Sequence, residues 1–244
     1  MTPARRHFQA VTAGAEAVRA AAAAVTGATA SAPLKDRMLA LLQAHQLALK
    51  AIKSRKLKIE TKRKFLPEYA AYVDGVLAAD AGGDDLVMVM LLVWHIDAGD
   101  YETALRIGAY AVKHRLELPG TFKRDLQATL VEEIAQAVLE ALAAGMPPAG
   151  GAADALDQAI DLTEGADMPD EVRAKAHKAL GLLRRESSPA AAVADLRLAL
   201  SFDPGCGVKT EISKLERLLA NMGATGDAGE PKDPPPDPPS IVDI

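Results

Sequence analysis

The stretch KAIKSRKLKIETKRK, residues 50–64, decides how the rest of this chain is organised. Eight of its fifteen residues are basic, and only Glu60 is acidic. Residues 1–64 carry 13 Lys and Arg against 3 Asp and Glu, a net charge of +10, whereas residues 65–244 carry 15 against 30, a net charge of −15. This asymmetry predicts an electrostatic partner for the basic part, and a polyanion fits best because each neutralised phosphate releases a condensed counterion. The alternative is that the charge run is a solvated face.

The composition predicts an all-α fold. The 244-residue chain is 49% hydrophobic but only 4% aromatic, so most of its apolar residues are Ala, Leu and Val. The single cysteine, Cys206, excludes an internal disulfide framework and a cysteine-based zinc site. The apolar run at residues 86–96 has about half of the roughly 20 residues that a membrane-spanning helix needs. Because the first residues also lack the apolar centre of a secretory signal, we expect a soluble, intracellular protein without a membrane partner.

The basic stretch is predicted to join two helices. An apolar stripe at helical spacing occupies residues 38–52. On one continuous helix the eight charges would surround the axis and leave no face to bury. We therefore expect the first helix to end within residues 54–58 and a second to begin near Thr61, a residue type favoured at N-caps, and to run to Gly82-Gly83. The result would be a basic helical hairpin at residues 34–83, with its charges at the elbow.

A body of further helical hairpins is predicted for residues 84–222. Its first helix would be capped by Asp84 and stop at Gly99, and Asp100 would cap the next. The later helices are expected at residues 125–144, 152–164, 169–185, 189–202 and 208–221.

Two segments of this body have the spacing of the second helix of a tetratricopeptide repeat, in which small residues let helices approach closely. In one segment the residues at offsets 0, 4, 7, 8 and 12 are Ala192, Leu196, Ala199, Leu200 and Pro204. In the other the residues at offsets 0, 4, 7 and 8 are Ala104, Gly108, Ala111 and Val112. They predict stacked tetratricopeptide-like hairpins.

The two ends of the chain differ in character. Residues 1–33 are Ala-rich and predict a weakly amphipathic helix, either a mobile arm or an oligomer contact. Residues 223–244 hold five acidic residues, one lysine and many Pro and Gly, which predicts a disordered acidic tail. Its SIVDI segment is either an inert chain end or a partner-binding motif formed by Ile241, Val242 and Ile244.

The candidates for phosphate contact are the basic residues of the elbow, assisted by two arginines of the N-terminal segment. They are Lys50, Lys53, Arg55, Lys56, Lys58, Lys62, Arg63 and Lys64, with Arg5 and Arg6. Such contacts bind phosphate and do not by themselves specify a DNA sequence.

Catalytic signals are weak. No nucleotide-binding signature is present, and the five histidines form no metal-ligand pair. A Mg²⁺-dependent nuclease needs converging carboxylates, for which Asp97 and Asp100 are the best candidates. Each has a structural alternative, because Asp is also common at helix N-termini. We therefore expect no metal or cofactor unless the chain is itself a nuclease, which would need Mg²⁺.

Several sequence blocks, in this order, resemble the small terminase subunit family of temperate tailed phages of the peduovirus type, which is also labelled a terminase endonuclease subunit. The blocks are MTPARRH (1–7), LKAIKSRKLKIETKRKFLPEYAAYVDGVL (49–77), WHIDAGDYETALRIGAYAVKHRLELPG (94–120), DLTEGADMPDEVRAKAHKALGLLRR (161–185) and GVKTEISKLERLL (207–219). Some relatives end in basic tails, whereas the tail here is acidic.

The resemblance implies a packaging role in the cytoplasm of a bacterial host. The chain would bind the cohesive-end region of double-stranded viral DNA, assemble as a homo-oligomeric ring and recruit the large, ATP-hydrolysing and DNA-cleaving subunit, with the acidic tail as a docking element. Two alternatives stay open. The chain could be the Mg²⁺-dependent endonuclease itself, or a tetratricopeptide-like adaptor that binds only protein.

Overall fold

The computed structural model describes residues 33–122 and 124–226, and this part of the chain contains α-helices and one 3-10 turn but no strand. The predicted all-α fold is confirmed. The helices are α1 (Leu34–Ala51), α2 (Arg55–Phe65), α3 (Ala70–Ala79), α4 (Leu86–Ala98), α5 (Tyr101–Lys113), α6 (Leu126–Ala143), α7 (Ala152–Leu162), α8 (Asp170–Arg184), α9 (Pro189–Phe202) and α10 (Lys209–Gly226), with the 3-10 turn Leu66–Tyr69 between α2 and α3.

Helix α4 is the centre of the core. It is apolar on all sides, as expected of a helix that other helices surround, and it packs against α1, α2, α5 and α6. One hydrophobic cluster runs from Leu41 in α1 to Leu180 in α8, so the basic hairpin and the helices after it share this core. The buried residues of α4 are Val87, Met88, Val89, Leu91, Leu92, Trp94, His95 and Ile96.

The break between the first two helices lies earlier than the sequence predicts. Helix α1 ends at Ala51, and Ser54 caps α2 by accepting a hydrogen bond from the backbone N–H of Leu57. The prediction of an N-cap at Thr61 was wrong, because Thr61 lies inside α2 and donates from its hydroxyl to the carbonyl oxygen of Leu57 at 2.7 Å. Most of the basic residues therefore lie on a helix of their own and not at an elbow.

The next helix boundaries agree better with the sequence. Asp85, not the predicted Asp84, caps α4 by accepting from the backbone N–H groups of Val87 and Met88. Gly99 ends α4 in the left-handed conformation with φ +76°, as predicted from its position, and Asp100 caps α5. These stop and start signals depend on residues within one turn of the boundary, which is why the sequence shows them.

Helices α8 and α9 pack closely against each other. Gly181 of α8 faces Leu196 of α9, and a Cβ at Gly181 would lie 2.5 Å from the Cγ atom of Leu196. Helices α9 and α10 then form a second, smaller hydrophobic cluster around Leu196 and Ile212. The small residues Ala192 and Ala199 of the predicted repeat are fully buried here. The tetratricopeptide-like arrangement as such stays a prediction.

None of the helices in the described residues is both long and apolar enough to cross a lipid bilayer. Several predictions fall outside these residues. They concern the N-terminal helix or arm with Arg5 and Arg6, and the acidic tail from residue 227 onward with Ile241, Val242 and Ile244. The tail was predicted to begin at residue 223, but α10 continues to Gly226.

Candidate nucleic-acid interface

The structure divides the eight cations of residues 50–64 into two groups. Three of them bond to neighbouring helices. Arg55 forms an ion pair with Glu140 of α6 at 2.7 Å, Lys62 pairs with Asp97 of α4, and the Nε atom of Arg63 donates to the carbonyl oxygen of Ala98 at 3.0 Å. Lys62 and Arg63 hold α2 against the body of the protein. The pair of Arg55 with Glu140 contributes less, because its side chains are 65% and 37% exposed.

The surface beneath α2 is suited to receive these cations. Asp97 and Ala98 belong to the last turn of α4, where unpaired carbonyl groups and the negative end of the helix dipole favour positive charge. The ammonium group of Lys62 also lies 5.8 Å from the centre of the Trp94 ring, within cation–π distance. The side chain of Lys62 is only 17% exposed, so it is a structural residue more than a surface contact.

Glu133 of α6 adds an unusual acid to this surface. Its burial raises the pKa of the carboxyl group, and the nearby charge of Asp97 raises the pKa further, although Arg55 acts in the opposite direction. Protonation of Glu133 is therefore easier than that of a carboxyl group in water.

The other five cations have no such partner. Their ammonium groups make no ion pair and no hydrogen bond within residues 33–122 and 124–226, and all but the half-buried Lys58 are exposed. We call Lys50, Lys53, Lys56, Lys58 and Lys64 the free lysines. Lys50 lies at the end of α1, Lys53 lies in the connection to α2, and the other three lie on α2. Residues 65–244 carry a net charge of −15, whereas these five lysines are available to an external anion.

The catalytic candidates Asp97 and Asp100 both make structural contacts. Asp97 is the partner of Lys62. Asp100 caps α5 by accepting from the backbone N–H of Thr103 at 3.2 Å, and its second oxygen lies 2.8 Å from Nδ1 of His95. Burial alone would raise the pKa of Asp100, but these hydrogen bonds outweigh burial and hold the pKa below its ordinary value. In the described part of the chain, no group of three or more His, Cys, Asp or Glu residues could hold a metal ion.

Sequence reasoning missed the partners of the cations. Glu140 lies 85 residues from Arg55, and Asp97 lies 35 residues from Lys62. Their only trace in the sequence is the excess of acid after residue 65, which does not say which acid meets which base. Sequence reasoning also missed Arg106, which lies in the amphipathic helix α5 and pairs with Asp74 at 3.0 Å.

Comparison with known proteins agrees with the resemblance found in the sequence. The sequence profile of the phage small terminase subunit family matches residues 39–171, from α1 to the start of α8. The chain is also 41% identical over 226 residues to a protein of Escherichia phage P2 named "Terminase, endonuclease subunit". The aligned region covers 89% of this chain and 85% of the phage protein. No solved structure matches the chain. The chain therefore belongs to the phage small terminase subunit family, and its role lies in phage DNA packaging.

Proposed function

We propose that this small terminase subunit binds double-stranded viral DNA through the free lysines. The observation that carries the proposal is the presence, within residues 50–64, of five lysines whose ammonium groups have no partner among the described residues, on a chain that otherwise has an excess of acid. Exposed, unpaired cations gain most from phosphate, because binding displaces counterions from DNA without first breaking an ion pair in the protein.

The paired cations have a different part in this proposal. Arg55, Lys62 and Arg63 orient α2, and the free lysines on and beside that helix contact the backbone. Reversing the charge of Lys62 or Arg63 would therefore disturb folding as well as binding, whereas Lys64 can be changed on its own. Help from Arg5 and Arg6 remains a prediction.

The contacts expected of the free lysines are to phosphates. Lysine is a point charge that binds phosphate in many geometries, so these contacts set the position of the protein on DNA and carry no direct sequence information. Recognition of a particular site, including a cohesive-end region, would need further groups that touch base edges.

The test compares two triple variants that lose the same charge. In one, Lys53, Lys56 and Lys64 are changed to Gln. In the other, three exposed cations elsewhere (Arg115, Lys209 and Arg217), which also have no ion pair among the described residues, are changed to Gln. Binding of a fluorescent blunt duplex is measured by anisotropy at constant salt, with circular dichroism to verify helicity.

We expect the first variant to bind the duplex at least ten times more weakly than the wild type, since three phosphate contacts are lost, roughly. The second should bind nearly as well as the wild type. Equal losses in both variants would mean that only net charge matters. An unchanged first variant would show that the free lysines are not the interface, and no duplex affinity in the wild type would favour the protein-only adaptor.

Assembly and partner recruitment belong to the same proposal. We expect a homo-oligomeric ring, which native mass measurement tests directly. We also expect the acidic tail, with Ile241, Val242 and Ile244, to bind the large terminase subunit. Co-purification of that subunit with the full chain, but not with a chain that ends at Gly226, would support this role. Equal co-purification would place the docking site elsewhere.

A nuclease role is a second candidate because of the printed name of the phage P2 relative. The contacts of Asp97 and Asp100 explain both residues without catalysis. The variants Asp97→Asn and Asp100→Asn keep the side-chain shape, and Asn at residue 100 can still cap a helix. Nicking of duplex DNA by the purified chain with Mg²⁺, lost in both variants, would establish the nuclease role and the function of these two residues.

A further inference from the structure

A cavity lies beside the basic helix, where the end of α2, the 3-10 turn and α3 meet the turn between α4 and α5. Its volume is about 490 Å³, within the range of roughly 300–1,000 Å³ that small-molecule sites have. Its apolar wall is formed by Leu66, Pro67, Ala70 and Val73, of which Pro67 and Ala70 are exposed and Leu66 and Val73 are buried. Arg63, Asp74, Asp100 and Arg106 also line it, so the cavity combines apolar surface with charged and hydrogen-bonding groups.

Two arginines lie on this cavity. Arg63 bonds to Ala98 through Nε alone, and its two terminal nitrogens make no hydrogen bond or ion pair within residues 33–122 and 124–226. Arg106 pairs with Asp74, but the two side chains are 50% and 64% exposed. An exposed pair of this kind is worth about 0–1 kcal/mol, so a stronger anion can replace Asp74. Two guanidinium groups at one opening suit a phosphate, which arginine can bind with two parallel hydrogen bonds.

A histidine supplies the cavity with a hydrogen-bond acceptor. The ionised carboxylate of Asp100 can only accept, so Nδ1 of His95 carries the proton in their 2.8 Å hydrogen bond. Burial lowers the pKa of His95 despite this contact, and the ring is neutral at pH 7. Its Nε2 atom then has a free lone pair, which can accept from an amino or imino group of a heterocycle. His95 and Thr103 both line the cavity.

We infer that this cavity binds one unpaired nucleotide of DNA, with its phosphate on Arg63 and Arg106 and its base against the apolar wall. The cavity is larger than a phosphate needs, and the exposed Pro67 and Ala70 offer a base the apolar contact that it loses on leaving a stack. The inference rests on the proposed function, because Arg63 directly precedes Lys64 and a strand held by the free lysines would lead into this opening. It adds a preference for unpaired ends, which duplex binding alone does not give.

The test uses the full chain and three probes. They are a three-nucleotide single strand with 2-aminopurine at its centre, a blunt duplex, and the same duplex with a three-nucleotide overhang. Arg106→Gln removes one guanidinium group from an exposed pair, and Ala70→Trp fills the cavity from an exposed position. Asp74→Asn is the matched control, since it frees Arg106.

The wild type should bind the trinucleotide and prefer the overhang to the blunt end. Arg106→Gln and Ala70→Trp should each weaken trinucleotide binding roughly tenfold and remove the preference, since one charged contact or the base contact is lost. Both should bind the blunt duplex like the wild type, and Asp74→Asn should bind the trinucleotide at least as well.

Two results would overturn the inference while leaving duplex binding intact. One is a wild type that binds the blunt duplex but not the trinucleotide, and the other is trinucleotide binding that neither variant alters. Binding of an Asp-rich peptide in place of the trinucleotide would also overturn it, since the cavity would then be a peptide site. Failure of the wild type to bind the blunt duplex would instead refute the proposed function.

Discussion

The substitution Gly181→Ala tests the close contact between α8 and α9. A Cβ atom at this position would lie 2.5 Å from Cγ of Leu196, 2.7 Å from its Cδ2 and 3.0 Å from the carbonyl oxygen of Ala192. Leu196 is fully buried, and Ala192 meets the new atom with backbone, so neither neighbour can move aside alone. Helices α8 and α9 would have to separate.

The size of the effect follows from two opposing terms. Overpacking of a close contact costs about 1–3 kcal/mol, and the blocked surroundings favour the upper end. Replacing glycine by alanine inside a helix returns about 1 kcal/mol. The net loss is therefore about 2 kcal/mol in the free energy of unfolding. At roughly 2–4 °C per kcal/mol for a chain of this size, Tm should fall by about 4–8 °C.

Gly75→Ala is the matched control. Gly75 lies inside α3, is exposed, and has no atom within 4 Å of the position that a Cβ would take. Only the helix propensity changes, so this variant should be more stable by about 0.5–1 kcal/mol. Thermal and urea unfolding, followed by circular dichroism, measure both variants. If Gly181→Ala were as stable as Gly75→Ala, the close packing of α8 on α9 would be wrong.

Two carboxyl groups are expected to affect stability in opposite directions. Burial and Asp97 raise the pKa of Glu133 in the folded protein. The protein therefore loses stability as pH rises from the unfolded pKa of about 4.3 through the higher folded pKa and Glu133 ionises. Glu133→Gln should raise the urea midpoint at pH 7 and lose this advantage near pH 4. A lower midpoint at pH 7 would contradict this. Burial alone would raise the pKa of Asp195, but His177 and Arg184 hold this pKa below its ordinary value. The contribution of ionised Asp195 to the free energy of unfolding is therefore present above about pH 3.9 and is lost as pH falls through the folded pKa. Asp195→Asn should lower the urea midpoint at pH 7 and lower it less in acid. A loss in midpoint that does not depend on pH would refute the ionic explanation.

Helix boundaries set by local chemistry could be predicted from the sequence. Gly99 and Asp100 were assigned correctly because a left-handed C-cap and an N-cap depend on groups within one turn. The start of α2 was assigned wrongly, because Ser54 and Thr61 are both good N-cap residues and no neighbouring residue decides between them. The choice follows mainly from α4, where Asp97 and Ala98 hold Lys62 and Arg63, with a smaller contribution from the pair of Arg55 with Glu140. These contacts stabilise helix at residues that charge repulsion alone would oppose.

The candidate interface was predictable as a charge run but not as a surface. Nothing in the sequence distinguishes Lys62, whose ammonium group is paired and largely covered, from Lys64, which is exposed. Nor does the sequence show that Asp97 pairs with a lysine, or that Arg106 and Arg63 share a cavity. Such features depend on contacts between residues that are distant in the chain, and local spacing does not encode them.

The salt dependence of duplex binding tests the central claim most directly. Each phosphate contact contributes about 0.9 to the slope of log K against log salt concentration, so the variant with Lys53, Lys56 and Lys64 changed to Gln should show a slope smaller in magnitude by about 2.7 than the wild type. The variant with Arg115, Lys209 and Arg217 changed to Gln should keep the wild-type slope. Identical slopes for the wild type and the first variant would show that the free lysines do not contact DNA.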